Sequence, residues 1–146
     1  MKIRLLLPML ILLASPSTSA LEKSDEGVYA LVHKDGHVTK KIAKLSQSDG
    51  RWHLEDLRPD GSWQDVTCGN ACALVETTSD QVEVFLRGTT LEGTALECVH
   101  DQAFAFCNST SADPRSYFML AFSGGEVIPL EWVRLDPQTL EPSSAP

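Results

Sequence analysis

RWHLEDLRPDGSWQDVTC, residues 51 to 68, decides the fold class. In its first half Trp52 and Leu54 alternate with His53 and Glu55, the period of a strand with one face turned inward. Pro59, Asp60 and Gly61 then supply the chemistry of a tight reversal, and residues 62–68 lead the chain back. This is a β-hairpin, and its punctuation recurs about every ten residues, the spacing of an all-β chain. Lys34, Asp35 and Gly36 divide residues 28–33 from residues 37–45, and Asp49-Gly50 closes that unit.

Downstream, Val82, Val84 and Leu86 alternate with Glu83, Phe85 and Arg87, which reads as a further strand, and Phe104 and Phe106 repeat the pattern. Residues 117–122 are an unbroken apolar run, predicting a central strand covered on both faces. Ser123, Gly124 and Gly125 turn it into residues 126–135, where Ile128, Leu130 and Trp132 share a face. Pro129 has no N–H for a ladder and predicts an edge or bulged strand there. Val38, Ile42 and Leu45 have helical spacing, but the short run and its neighbours favour a strand. Seven to nine strands predict an all-β domain over residues 21–136, a small antiparallel sandwich or open barrel. A sheet with one short helix is the alternative. Residues 137–146, rich in proline and serine, are expected to form a mobile tail.

The first twenty residues have the three zones of a secretory signal peptide. Lys2 and Arg4 form a basic head, residues 5–14 an apolar run, and Thr18, Ser19 and Ala20 a small-residue cleavage site. Cleavage after Ala20 would leave 126 residues, with ten basic side chains against twenty acidic ones and a net charge of −10. Such a field repels nucleic acid and anionic lipid and attracts a basic protein. No apolar stretch reaches the ~20 residues of a membrane-spanning helix, so no membrane insertion is expected. The compartment expected is the periplasm.

Export also sets the reading of the four cysteines, Cys68, Cys72, Cys98 and Cys107, as two disulfides. Three connectivities are open. Local pairing of Cys68 with Cys72 and of Cys98 with Cys107 is preferred, because Gly69-Asn70 and a reversal near Gln102 would bring each pair together.

Residues able to carry catalysis are sparse. His33 and His37 flank the turn at Asp35 and could face a metal ion, but two nitrogens are too few for a tight site and Asp35 is needed by the turn, so no metal or cofactor is expected. His100, Asp101 and Ser109 supply the residue types of a triad, yet neighbours on a strand point to opposite faces. Glu55-Asp56 meets the same objection, and His53 reads as a surface residue. Lys34, Lys40, Lys41 and Lys44 concentrate positive charge in one segment, read as a lysine-protected edge strand in preference to a binding patch. No catalytic residue is assigned, and the protein is read as a non-enzyme.

Residues 108–115, NSTSADPR, follow Cys107 directly and carry three hydroxyl side chains in succession. Asn108, Ser109, Thr110 and Ser111, tied at one end by a disulfide, suit a loop that enters a partner's cleft at low ordering cost. Asn108-Ser109-Thr110 is also a glycosylation sequon, relevant only to a eukaryotic secretory pathway.

On the segment CVHDQAFAFCNSTS, residues 98–111, and on its small, acidic, disulfide-braced plan, the chain resembles the periplasmic immunity proteins that neutralise peptidoglycan-amidase toxins of the type VI secretion system. The resemblance implies an inhibitor whose loop, here Asn108 to Ser111, plugs a Cys/His hydrolase site. Periplasmic lysozyme inhibitors share the same plan. The function expected is occlusion of a basic cell-wall hydrolase; an envelope binding or assembly module is the alternative, and a small secreted enzyme a more distant one.

Overall fold

The computed structural model describes residues 21–67, 73–109 and 114–140. Within them a 3-10 turn at Lys23–Asp25 precedes β1 (Gly27–Val32), β2 (Val38–Ser48), β3 (Arg51–Leu57), β4 (Trp63–Asp65) and β5 (Val75–Glu76). Helix α1 (Ser79–Leu86) then leads to β6 (Leu96–His100), β7 (Phe104–Ser109), β8 (Tyr117–Ser123) and β9 (Glu126–Arg134). The expected tail opens with a 3-10 turn at Pro137–Leu140.

The strands form one antiparallel sheet in the order β4-β3-β2-β1-β9-β8-β7-β6-β5, curled into a half-barrel. The open-barrel expectation therefore holds, with two meanders joined where β1 meets β9. Their far ends approach each other too: the Leu74 N–H donates to the Trp52 carbonyl at 2.9 Å. Turn chemistry behaves as the sequence predicts. Asp49 and Gly50 both have positive φ, 52° and 73°, the type I′ pair whose twist matches two flanking strands.

Two apolar clusters use the opposite faces of the sheet. Tyr29, Leu45, Trp52, Leu54, Phe106, Tyr117 and Trp132 fill the concave side. Leu96, Ala105, Leu120 and the Cys98–Cys107 disulfide lie on the convex side beneath Val82 and Leu86 of α1. This double cover explains why β7 is buried at every position, and why β8 reads as one apolar run: Tyr117 and Met119 face one cluster, Phe118 and Leu120 the other. Cys98 and Cys107 are direct cross-strand partners with Cα atoms 4.1 Å apart, as the local pairing requires. Cys68 and Cys72 lie outside the described residues.

Three local expectations are corrected. Residues 82–86 are helix, not strand. Thr78 caps α1, its Oγ1 accepting from the Gln81 N–H at 3.3 Å while Gln81 Oε1 accepts from the Thr78 N–H at 2.9 Å. Once that box starts the helix, Val82 and Leu86 fall one turn apart on the buried face. The lysine-bearing β2 is no edge strand over Ala43–Ser48, where it lies between β1 and β3 and carries Lys44; Lys40 and Lys41 fall before β3 begins to pair, where β1 is its one neighbour and the edge reading holds. β9 is likewise interior over its last third. β1 pairs only with Trp132, Val133 and Arg134, so Pro129 falls where β9 has β8 as its neighbour and needs no second ladder.

The cap makes a direct test of the helix. Thr78→Ala is expected to cost about 1 kcal/mol, read from urea unfolding. Val84→Ala, at a helix position 58% exposed, should stay within about 0.5 kcal/mol. A strand would reverse that contrast, since Val84 would then lie on the same face as Val82 and Leu86.

Candidate functional site

The connection between β7 and β8 carries the expected partner-binding loop, and the structure redraws its limits. Asn108 and Ser109 are the last residues of β7, with 0% and 6% of their surface exposed. They are not loop residues available to a partner, and Asn108 is too deeply buried to act as a glycosylation acceptor. Parity along β7 explains this: Asn108 continues the concave face of Phe104 and Phe106, and Ser109 the convex face of Ala105 and Cys107. Thr110 and Ser111 lie outside the described residues. Beyond them, the Ser109 N–H donates to the Ser116 carbonyl at 2.8 Å, so the sheet ladder closes across the base of the connection.

What holds that base is a buried carboxylate absent from the sequence reading. Asp25 is fully buried. Its oxygens accept from the Glu22 N–H at 2.8 Å, Asn108 Nδ2 at 3.0 Å, Arg115 Nη1 at 2.8 Å and Tyr117 Oη at 3.1 Å. The Tyr29 hydroxyl donates to the Asp25 backbone carbonyl. The hydrogen bond to Asp25 raises the Arg115 guanidinium above its already high value, and burial pushes the Tyr29 phenol far up, so one stays cationic and the other neutral. Both flanks of the connection, Asn108 before it and Arg115 and Tyr117 after it, thus converge on one anion. Arg134 stands beside them, its Nη1 donating to the Ser24 carbonyl at 2.7 Å. Ser24, Pro114, Arg115, Tyr117 and Arg134 line a shallow depression at the foot of the connection. This arrangement offers rigid support and hydrogen bonding.

The other candidate residues are dispersed. His100 pairs with Ala105 and Ser109 with Leu96, placing them about 13 Å apart at opposite ends of the β6–β7 ladder. The Asp101 Oδ1 accepts from the Ala103 and Phe104 N–H groups at 2.7 and 3.1 Å, closing the hairpin turn. His100 Nδ1 lies 2.7 Å from Thr77 Oγ1, and burial lowers its pKa toward the neutral ring. These three residues form no triad. Glu55 and Asp56 point to opposite faces of β3 and pair with lysines of β2: Lys44 Nζ is 2.8 Å from Glu55, and Lys41 contacts Asp56. Lys44 also lies 4.6 Å from the Trp63 ring centroid. Half of the lysine segment is thereby neutralised across the strand pair. His53 is 3.4 Å from Asp65.

At the tip of the β1–β2 hairpin, His33 and His37 do oppose each other across the turn, their rings stacked with centroids 4.8 Å apart. Asp35 Oδ1 accepts from the His37 N–H at 3.1 Å, which holds its carboxyl below the usual range, and the same oxygen lies between both imidazoles.

The chain matches no family model, no curated protein and no solved structure. Its functional reading therefore rests on its own residues.

Proposed function

We propose that this protein is exported to the periplasm and there binds and occludes a basic cell-wall hydrolase, as an inhibitor or immunity protein with no catalytic role of its own. The observation that carries the reading is the convergence of both flanks of the β7–β8 connection on buried Asp25. Flanks already ordered around that carboxylate add no ordering cost of their own on binding, which suits a cleft-plugging inhibitor. With Asn108 and Ser109 buried, the partner contact passes to Thr110 and Ser111 between the clamped ends. Net charge near −10 after signal removal steers the encounter with a basic partner.

Surface plasmon resonance on an immobilised basic peptidoglycan amidase separates the two contributions. Salt should slow association more than it speeds dissociation, whereas Thr110→Trp and Ser111→Trp should act mainly on dissociation, raising it about tenfold or more. Lys34→Glu and Lys40→Glu, at exposed positions, should leave affinity unchanged or improve it. Loss of binding in the lysine variants with none in the tryptophan variants would place docking at the lysine segment.

A further inference from the structure

We propose that the tip of the β1–β2 hairpin is a surface site for a divalent first-row transition ion, cupric or zinc, held by His33, Asp35 and His37. The turn itself assembles the ligands. The His33 N–H donates to the His37 carbonyl at 2.8 Å, and the Gly36 N–H donates to the His33 carbonyl at 2.8 Å, with Gly36 in the left-handed region at φ +89°. A three-residue loop of this kind makes His33 and His37 directly opposed neighbours with both imidazoles on one face. Asp35, at the apex, folds its carboxylate back over them.

One nitrogen of each imidazole and one oxygen of the carboxylate lie within 4.8 Å of one another. Ligand atoms around a tetrahedral ion with bonds of about 2.0–2.1 Å sit about 3.4 Å apart, so small rotations of three exposed side chains make room for the ion. Their side chains are 56%, 62% and 59% exposed, which leaves them room for that movement. In the ion-free turn an Nδ1–H can donate to Asp35 Oδ1; an incoming ion would displace that proton and leave each ring as the Nε2–H tautomer with its Nδ1 lone pair on the metal. The His37 N–H bond to Asp35 Oδ1 at 3.1 Å orients the carboxylate, the outer-sphere role that backbone amides fill at built metal sites. Two imidazoles with one carboxylate select copper, nickel or zinc over calcium or magnesium, which prefer all-oxygen sets. Coordination positions facing solvent remain for water. β1 runs from the Asp25 clamp toward the tip, and Leu31 shares a row with Trp132 and Tyr117, so the tip lies past that row on the side away from the β7–β8 connection. It is independent of the proposed hydrolase contact.

Titration of the oxidised full-length mature protein with cupric chloride, followed by calorimetry and electron paramagnetic resonance, tests the site. One equivalent should bind, with hyperfine coupling to two imidazole nitrogens. His33→Ala and His37→Ala should each weaken binding at least about tenfold, the loss that even outer-sphere substitutions produce, and Asp35→Asn should weaken it as well. His53→Gln and His100→Gln should leave it unchanged. Zinc chloride should compete for the same equivalent. The proposal fails if no stoichiometric binding is found, or if the double variant His33→Ala/His37→Ala retains wild-type affinity. Circular dichroism should confirm that these tip variants keep the native fold.

Discussion

Asp25→Ala should destabilise the protein by about 3–5 kcal/mol, the cost of removing one partner from a buried, hydrogen-bonded ion pair. The effect is large because Asp25 receives four hydrogen bonds, and two of the donors, Asn108 and Tyr117, are buried with it and would be left unsatisfied. Asp25→Asn should recover little of the loss. The amide has the carboxylate's shape but turns an NH2 group toward a site built entirely of donors. Arg115→Gln should cost less, since the arginine is partly exposed and water can take over part of its hydrogen bonding to Asp25. Urea unfolding at neutral pH measures all three. A loss under about 1 kcal/mol for Asp25→Ala would mean that the clamp does not hold the connection.

Phe106→Ala should be of similar size, about 3–5 kcal/mol, through lost transfer energy and the cavity left behind. Phe106 has no exposed surface and centres an aromatic group on the concave face. Its ring lies 5.1 Å from Tyr29 at 63°, and Tyr29 lies 4.7 Å from Tyr117 at 60°, both edge-to-face arrangements. The same Tyr29 and Tyr117 donate to the Asp25 carbonyl and carboxylate, so the core and the clamp share side chains. Phe106→Ala and Asp25→Ala should therefore be non-additive in a double-mutant cycle. Additivity within about 0.3 kcal/mol would separate the two units.

Local chemistry was readable from the sequence wherever one turn or one strand pair decides the outcome. Asp49-Gly50 and Asp60-Gly61 announce their hairpins, and Cys98 opposes Cys107 because a short reversal joins them. Residues 82–86 misled because V-E-V-F-L satisfies a period of two as well as it satisfies one helical turn. The signal that separates the readings lay upstream, in Thr78 and Gln81 at capping-box spacing. The part-covered edges of β2 and β9 depend on which strands become neighbours in the finished sheet, which no local pattern encodes. Asp25 was missed for the same reason. Its partners Asn108, Arg115 and Tyr117 stand 83, 90 and 92 residues away, and an aspartate beside Lys23 and Glu26 looks like ordinary solvated surface. The hydroxyl-rich run marks the β7–β8 connection, while the cover on both faces of β7 removes its first two residues, Asn108 and Ser109, from solvent.

Inhibition of peptidoglycan cleavage is the activity to measure. Turbidity loss of purified cell walls is followed with a basic amidase of the cysteine–histidine type, titrated with the mature protein. Lysis should stop near one equivalent, Thr110→Trp and Ser111→Trp should restore it, and the protein alone should leave the walls intact. Cleavage of the walls by the protein itself, or undiminished lysis at several equivalents by the amidase and by a muramidase tested beside it, would rule out a hydrolase inhibitor.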